Sequence, residues 1–178
     1  MISKDFKPIL SSELISITGG LVGGLLLSFS IDKIELIPGI LIFLPGFLEM
    51  RGNISGSLSA RLSSGLFVHA VQAKYRKNDI LRGNVIASMI LVVVLSFFLG
   101  VLTYYIGVEF FGISNPNIIL IAVVAGILSN IIEIPLTVAI TFWLFRHGHD
   151  PNNVMGPYIT TTGDIVSIFS LLVAIAVV

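Results

Sequence analysis

The amino-acid sequence predicts an all-α integral membrane protein, a bundle of five transmembrane helices. Of its 178 residues, 55% are hydrophobic and only 11% are charged, whereas about a quarter of the residues in an average soluble domain are charged. The apolar residues also gather into long runs, and a helix needs about 20 such residues to cross a bilayer. Together, the composition and the runs exclude an ordinary soluble domain.

The charge balance and the missing motifs exclude several functions. Ten basic residues balance ten acidic ones, so we expect no nucleic acid partner. The chain has no cysteine, which excludes disulfides, thiolate zinc sites and a cysteine nucleophile. Neither a Gly-x-Ser-x-Gly, a His-Glu-x-x-His nor a phosphate-loop pattern occurs. We therefore predict that the protein is not an enzyme.

Four of the five predicted spans are plain apolar runs, each with at most one ionisable residue. They cover residues 9–31, 84–108, 117–145 and 153–178. The first run has no obvious cleavage site for a signal peptide, so we expect it to remain in the mature chain.

The remaining span, residues 36–73, is longer and carries charges. A single straight helix of that length would measure ~57 Å at ~1.5 Å per residue, well beyond a ~30 Å hydrocarbon core. Proline and glycine weaken a helix, so we expect a break near residues 45–53. Projection of the end near His69 into the cytoplasm is the alternative.

The basic residues between the spans predict the orientation, because cytoplasmic loops are enriched in Lys and Arg. If the second segment crosses once, seven basic residues lie inside against Lys33 alone outside. Those inside are Lys4, Lys7, Lys74, Arg76, Lys77, Arg82 and Arg146. We therefore expect five spans, with the N-terminus inside and the C-terminus outside.

Asp164 is the most informative charge at membrane depth. It is the only ionisable residue in the last span and follows Thr160, Thr161 and Thr162. Thr160 lies one helical turn away on the same face. Carboxylate and hydroxyl oxygens suit hard cations such as Mg²⁺. The alternative is that Asp164 binds a neighbouring helix and holds the bundle together.

A second group of oxygen ligands is predicted around the Gly52-Asn53 pair. Glu49, Asn53 and Ser57 would share one face of a continuous helix, and exposed backbone at Gly52 would add carbonyl ligands. The alternative is packing through small residues, with Glu49 neutralised by Arg51 or Arg61.

Two more acids and a group of glycines also have predicted roles. Glu133, two residues before Pro135, is predicted either to line a pore or to cap a kink, and Asp150 before Pro151 fits the start of a helix. With Ser57, these two acids are assigned as secondary or pore-lining positions. Gly19, Gly20, Gly23 and Gly24 form two small-xxx-small pairs that predict close helix packing, with a partner left open.

Two motifs in this order resemble the membrane domain of the MgtE-type magnesium transporters, and most closely their eukaryotic solute-carrier relatives. The first is Pro45, Gly52-Asn53 and then Ser59-Ala60-Arg61-Leu62-Ser63-Ser64. The second is Asp150-Pro151-Asn152-Asn153 through Gly156-Pro157, followed by Thr160-Thr161-Thr162-Gly163-Asp164. The resemblance covers essentially the whole chain.

The resemblance implies a divalent cation channel or transporter of the cell membrane, with a path lined by the second and fifth helices. Asp164 would hold hydrated Mg²⁺, with Asn53 and Gly52 beside it. One five-helix unit would act as a homodimer, with two Asp164 carboxylates near the axis. We expect no cytoplasmic sensor domain of the MgtE kind, because only about eight residues precede the first predicted span here. Glu49 and Arg51 add charges within the motif, so the choice among Mg²⁺, Mn²⁺, Co²⁺ and Ca²⁺ stays open.

Two further hypotheses belong to other functional classes. A membrane scaffold or accessory subunit would use its small-residue faces to bind helices and its arginines to neutralise its acids. An intramembrane hydrolase would use His147, His149 and Asp150.

Overall fold

The computed structural model describes residues 6–73 and 78–178, and all regular structure in these two ranges is helical. Lys4, Lys74, Arg76 and Lys77, on which part of the predicted orientation depends, lie outside the described residues. A 3₁₀ helix, Pro151–Asn153, precedes the last α-helix. The five α-helices are α1 (Phe6–Ile34), α2 (Ile40–Phe67), α3 (Asp79–Phe111), α4 (Asn117–Arg146) and α5 (Met155–Val177).

Four of these helices, α1, α3, α4 and α5, are long and apolar enough to cross a membrane. They overlap the predicted spans 9–31, 84–108, 117–145 and 153–178. The helix α2 is too polar to be counted with them. It packs against α3, α4 and α5, so much of its polar surface is enclosed by the other helices.

The break predicted at residues 45–53 is wrong, because α2 is a continuous helix with Pro45 inside it. The predicted segment, 36–73, was also too long. Gly39, with φ +86°, precedes the first turn, and His69, with φ +58°, lies just beyond the last. The 28 residues of α2 measure ~42 Å at ~1.5 Å per residue, so the helix can cross with its ends outside the ~30 Å core.

The helix α1 lies at the edge of the bundle and packs on α5. A Cβ at Gly19 would overlap Thr161, and one at Gly23 would lie 3.5 Å from the Asp164 Cβ. Gly20 and Gly24 have open space around them. The Gly19 and Gly23 pair therefore has its partner in the same chain, whereas the Gly20 and Gly24 pair faces open space and most of the large apolar side chains of α1 are exposed.

The helix α2 contributes to two of the three apolar clusters in the core of the part that the structure describes. One contains its residues 40–47 with Ile121 and Leu171, and the other contains its residues 54–66 with Ile134 and Phe142. The third cluster lies between α4 and α5 and includes Ile159. Arg51, which is 1% exposed, therefore separates two apolar stretches of α2.

We expect Gly100 on α3 to be required for stability, because a Cβ there would lie 2.8 Å from the Ile119 Cα on α4. Gly100→Ala should lower the free energy of unfolding by about 1–3 kcal/mol, the usual cost of overpacking. Gly83→Ala is the matched control, since Gly83 on the same helix has nothing within 4 Å of a Cβ, and alanine there should be neutral or stabilising by up to ~1 kcal/mol. Thermal unfolding in detergent measures both, and equal losses would contradict this packing.

Candidate cation site

The buried guanidinium of Arg51 joins three helices at the centre of the bundle. Its Nη2 donates to Asp164 Oδ1 on α5 at 3.1 Å, and its Nη1 donates to the Ile159 backbone carbonyl at 3.1 Å. The same Nη1 lies 3.7 Å from Glu133 Oε2 on α4. One side chain of α2 therefore holds a carboxylate from each of two other helices.

Gly163 leaves the space in which this guanidinium lies. A Cβ at that position would overlap Arg51 Nη1 and Cζ, so any larger residue would displace the side chain or part α2 from α5. The guanidinium therefore lies directly against the backbone of α5, within reach of the Ile159 carbonyl. Glycine is therefore required at position 163 if the Arg51 side chain is to lie against α5.

The charges of this group do not cancel. With all three side chains ionised, two carboxylates face one guanidinium, which leaves one negative charge. Glu133 is 1% exposed and Asp164 is 27% exposed, so Asp164 is the more accessible of the two carboxylates. An intramembrane charge that is not neutralised normally faces a water-filled path or an ion.

A file of hydroxyl groups continues from this group between α2 and α4. Ser59 and Thr141 are hydrogen-bonded at 3.1 Å and are separated in sequence by the same distance as Arg51 and Glu133. This constant register shows that the two helices run parallel, and it places Ser55 opposite Thr137. Both of these hydroxyls are buried and have no hydrogen-bond partner within the described ranges.

The predicted stripe of Glu49, Asn53 and Ser57 does share one face of α2, turned away from Arg51. Asn53 Nδ2 donates to Glu49 Oε1 at 3.1 Å. The three side chains line a cavity of about 420 Å³ against α3, together with Arg61, which donates to Ser88 at 3.4 Å. All three lie on the exposed side of α2.

The predicted site residues therefore fall into two groups. Asp164 and Glu133 meet at Arg51, whereas Asn53 and Glu49 lie on the outer face of α2. Gly52 lies between them in open space, but its backbone is helical, so the exposed carbonyls expected at a break are not present.

Three further positions have local partners. Thr160 is exposed and its hydroxyl donates to the Gly156 carbonyl at 3.1 Å. Thr161 faces α1, where its hydroxyl lies 3.4 Å from the Ser16 carbonyl. Asp150 accepts from the Asn152 backbone N–H at 2.9 Å and so caps the 3₁₀ helix. This cap agrees with the predicted helix start.

The pairing of Arg51 was not predicted, because the sequence offered Arg51 only as one of two arginines that would neutralise Glu49 in the alternative to a ligand role. In the structure Arg51 pairs with Asp164 and Glu133, and Glu49 accepts a hydrogen bond from the Asn53 side-chain amide. The signal was available, since residues two positions apart point to different sides of a helix. A buried arginine beside Glu49 therefore needed an acid from another helix, and Glu133 and Asp164 were the acids at membrane depth.

The geometry suits a hydrated ion better than a fully coordinated one. Within residues 6–73 and 78–178, no three His, Asp or Glu side chains group closely enough to hold a metal. Mg²⁺ usually keeps several waters and binds one or two carboxylates. The loop residues His147, His149 and Asp150 belong to no such group among the described residues; His147 Nδ1 lies 2.8 Å from the Trp143 carbonyl, and Asp150 caps the 3₁₀ helix.

The family model of MgtE, described as a divalent cation transporter, matches residues 44–174. This range runs from the first turns of α2 to the last turns of α5 and includes Arg51, Glu133 and Asp164, while α1 lies before it. No curated protein and no solved structure matches the chain.

We expect Glu133→Gln to destabilise the bundle by about 1–3 kcal/mol, because it removes one of the two carboxylates that compensate a buried guanidinium. The matched control is Glu49→Gln, which changes an exposed residue whose partner is a neutral amide and should stay within about 0.5 kcal/mol. Both are measured by thermal unfolding in detergent without divalent ions. A larger loss in Glu49→Gln than in Glu133→Gln would contradict the pairing.

Proposed function

Because the chain belongs to the MgtE family of divalent cation transporters, we propose that it moves hydrated Mg²⁺ across the cell membrane with Asp164 as the ion's carboxylate ligand. The observation that carries this proposal is the position of Asp164. It is an acid in the middle of a membrane helix, within the matched range and 27% exposed. An ion that arrives from a water-filled path can therefore reach it.

The chemistry of the surrounding groups supports a hard divalent ion. Asp164 and Glu133 contact the same guanidinium, so two carboxylates lie near one point. Thr160 adds a hydroxyl one turn before Asp164. Oxygen ligands with room for water are typical of Mg²⁺ sites, and selection among divalent ions would depend on size and charge at this point.

The outer face of α2 supports a path shared by two copies of the chain. Glu49, Asn53 and Ser57 are exposed at membrane depth, and polar groups there are costly against lipid. A homodimer with this face at its twofold axis would bring two α2 helices together along a polar path that holds these side chains, with Gly52 beside Asn53, while Asp164 on α5 lies on the Arg51 side of α2. The expected orientation, N-terminus inside and C-terminus outside, belongs to this proposal.

One observation favours a second candidate, a non-transport scaffold or accessory subunit. The Arg51 guanidinium already satisfies Asp164, which is what a purely structural acid would need. The two proposals differ in their response to Mg²⁺. A ligand that binds only the folded state stabilises it by ~2.7 kcal/mol at 100 times its Kd, whereas a scaffold without a cation site would gain nothing.

We expect liposomes that contain the protein and a Mg²⁺-sensitive dye to show uptake. Asp164→Asn should reduce the rate more than about tenfold, since one lost carboxylate removes several kcal/mol of attraction for a divalent ion even at an effective dielectric of ~20. Asp150→Asn is the matched control, because asparagine caps a helix as well as aspartate does. Unchanged uptake in Asp164→Asn would overturn the ligand assignment. Wild-type protein with neither uptake nor Mg²⁺-dependent stabilisation would favour the scaffold.

We expect a cysteine on the outer face of α2 to cross-link two copies. The chain has no cysteine of its own, so Ser57→Cys introduces a single thiol, and a twofold axis along this face brings two of them together. Val94→Cys, at an exposed apolar position on α3, is the control that should stay monomeric on a non-reducing gel. Cross-linking of Val94→Cys but not of Ser57→Cys would place the dimer contact elsewhere.

A further inference from the structure

We propose that Arg51 is a tethered competitor of the transported cation. In this conformation its guanidinium occupies the Asp164 carboxylate, so an ion can bind there only after the guanidinium has moved away. This inference rests on the proposed function and adds a control on ion access that is built into α2.

The charge count supports competition over simple neutralisation. With Arg51 in place, the group carries one negative charge, which does not balance a divalent ion. With Arg51 withdrawn, Asp164 and Glu133 leave two negative charges, which balance one divalent ion. Binding of the ion and departure of the guanidinium therefore favour each other. Departure of Arg51 leaves the two carboxylates without a positive charge, and the divalent ion then neutralises them.

The contacts of Arg51 are specific, yet they leave it short of full satisfaction. Its place against Gly163 and the Ile159 carbonyl is shaped for a guanidinium. However, Glu133 is 3.7 Å away, beyond the usual ~2.7–3.2 Å of a hydrogen bond. The buried Nε has no partner within the described residues. In the described part of the chain, Arg51 thus makes two hydrogen bonds out of the five that a guanidinium can donate. A side chain held this incompletely can be displaced.

A displaced guanidinium has acceptors within one helical turn. The hydroxyls of Ser55 and Thr137 are buried and have no partner in the part of the chain that the structure describes, and Ser55 lies one turn after Arg51 on the same face of α2. Buried polar atoms without partners are uncommon in native proteins. Both would gain a donor if the side chain moved along the hydroxyl file.

The test compares how Mg²⁺ uptake into liposomes depends on Mg²⁺ concentration in Arg51→Gln and in the wild type. When a binding-competent state is populated at only ~10%, removing the competing state raises apparent affinity about tenfold. We therefore expect the half-saturating Mg²⁺ concentration to fall about tenfold or more. Arg82→Gln is the matched control, because Arg82 is an exposed arginine near the start of α3 and is not among the residues that line the cavity against α2, and it should leave the concentration unchanged.

Uptake by Arg51→Gln at an unchanged or higher half-saturating concentration would overturn the competitor role. Failure of the proposed function looks different, since the wild type itself would then show no uptake, or Asp164→Asn would keep it. The double variant Arg51→Gln with Asp164→Asn should lose the gain, and a retained gain would show that Arg51 acts somewhere other than at Asp164.

Gly163→Ala tests the same idea without removing a charge, in case Arg51→Gln does not fold. The added methyl overlaps the guanidinium and should weaken its hold on Asp164, so the half-saturating concentration should again fall. Gly156→Ala on the same helix is the control, since nothing lies within 4 Å of a Cβ there. Folded Gly163→Ala protein with wild-type concentration dependence would count against the proposal.

Discussion

The cost of holding a guanidinium in the middle of a membrane protein is the constraint on which the rest of this structure depends. A charge at that depth needs partners from other helices, because neither lipid nor its own helix supplies enough of them. Arg51 obtains Asp164 and the Ile159 carbonyl from α5 and Glu133 from α4. These contacts fix the rotation of α2 about its axis and its depth relative to both neighbours.

The polar outer face of α2 follows from that rotation. Once Arg51 points inward, the residues of the i, i+4, i+8 series that begins at Glu49 must point outward. The helix therefore carries Arg51 on its inner side and both charged and polar residues on its outer side, and it is not counted among the helices apolar enough to span a membrane by themselves. Such a helix is tolerated where proteins or water surround it, which agrees with its place among α3, α4 and α5.

The sequence predicts the apolar helices well and the details of α2 poorly, for a physical reason. Helices such as α3 follow from long apolar runs, which are local information. The continuity of α2 through Pro45 and Gly52 depends on the neighbouring helices, because their contacts outweigh weak local preferences. The sequence alone could narrow the partner of Arg51 to an acid on another helix, but three helices must be placed before their charges can be paired. The resemblance pointed to Asp164 and treated Arg51 as an added charge within the motif, without pairing the two.

The choice of arginine at this position has its own consequence for ion transfer. A planar guanidinium can hold a carboxylate and a backbone carbonyl with separate nitrogens, as Arg51 does with Asp164 and Ile159, whereas an ammonium group is a compact point charge. The guanidinium of Arg51 therefore holds the Asp164 carboxylate in one orientation for as long as the two are in contact. An ion that replaces the guanidinium finds the Asp164 carboxylate already in position. The contact that stabilises the ion-free protein therefore also orients the ligand for the cation.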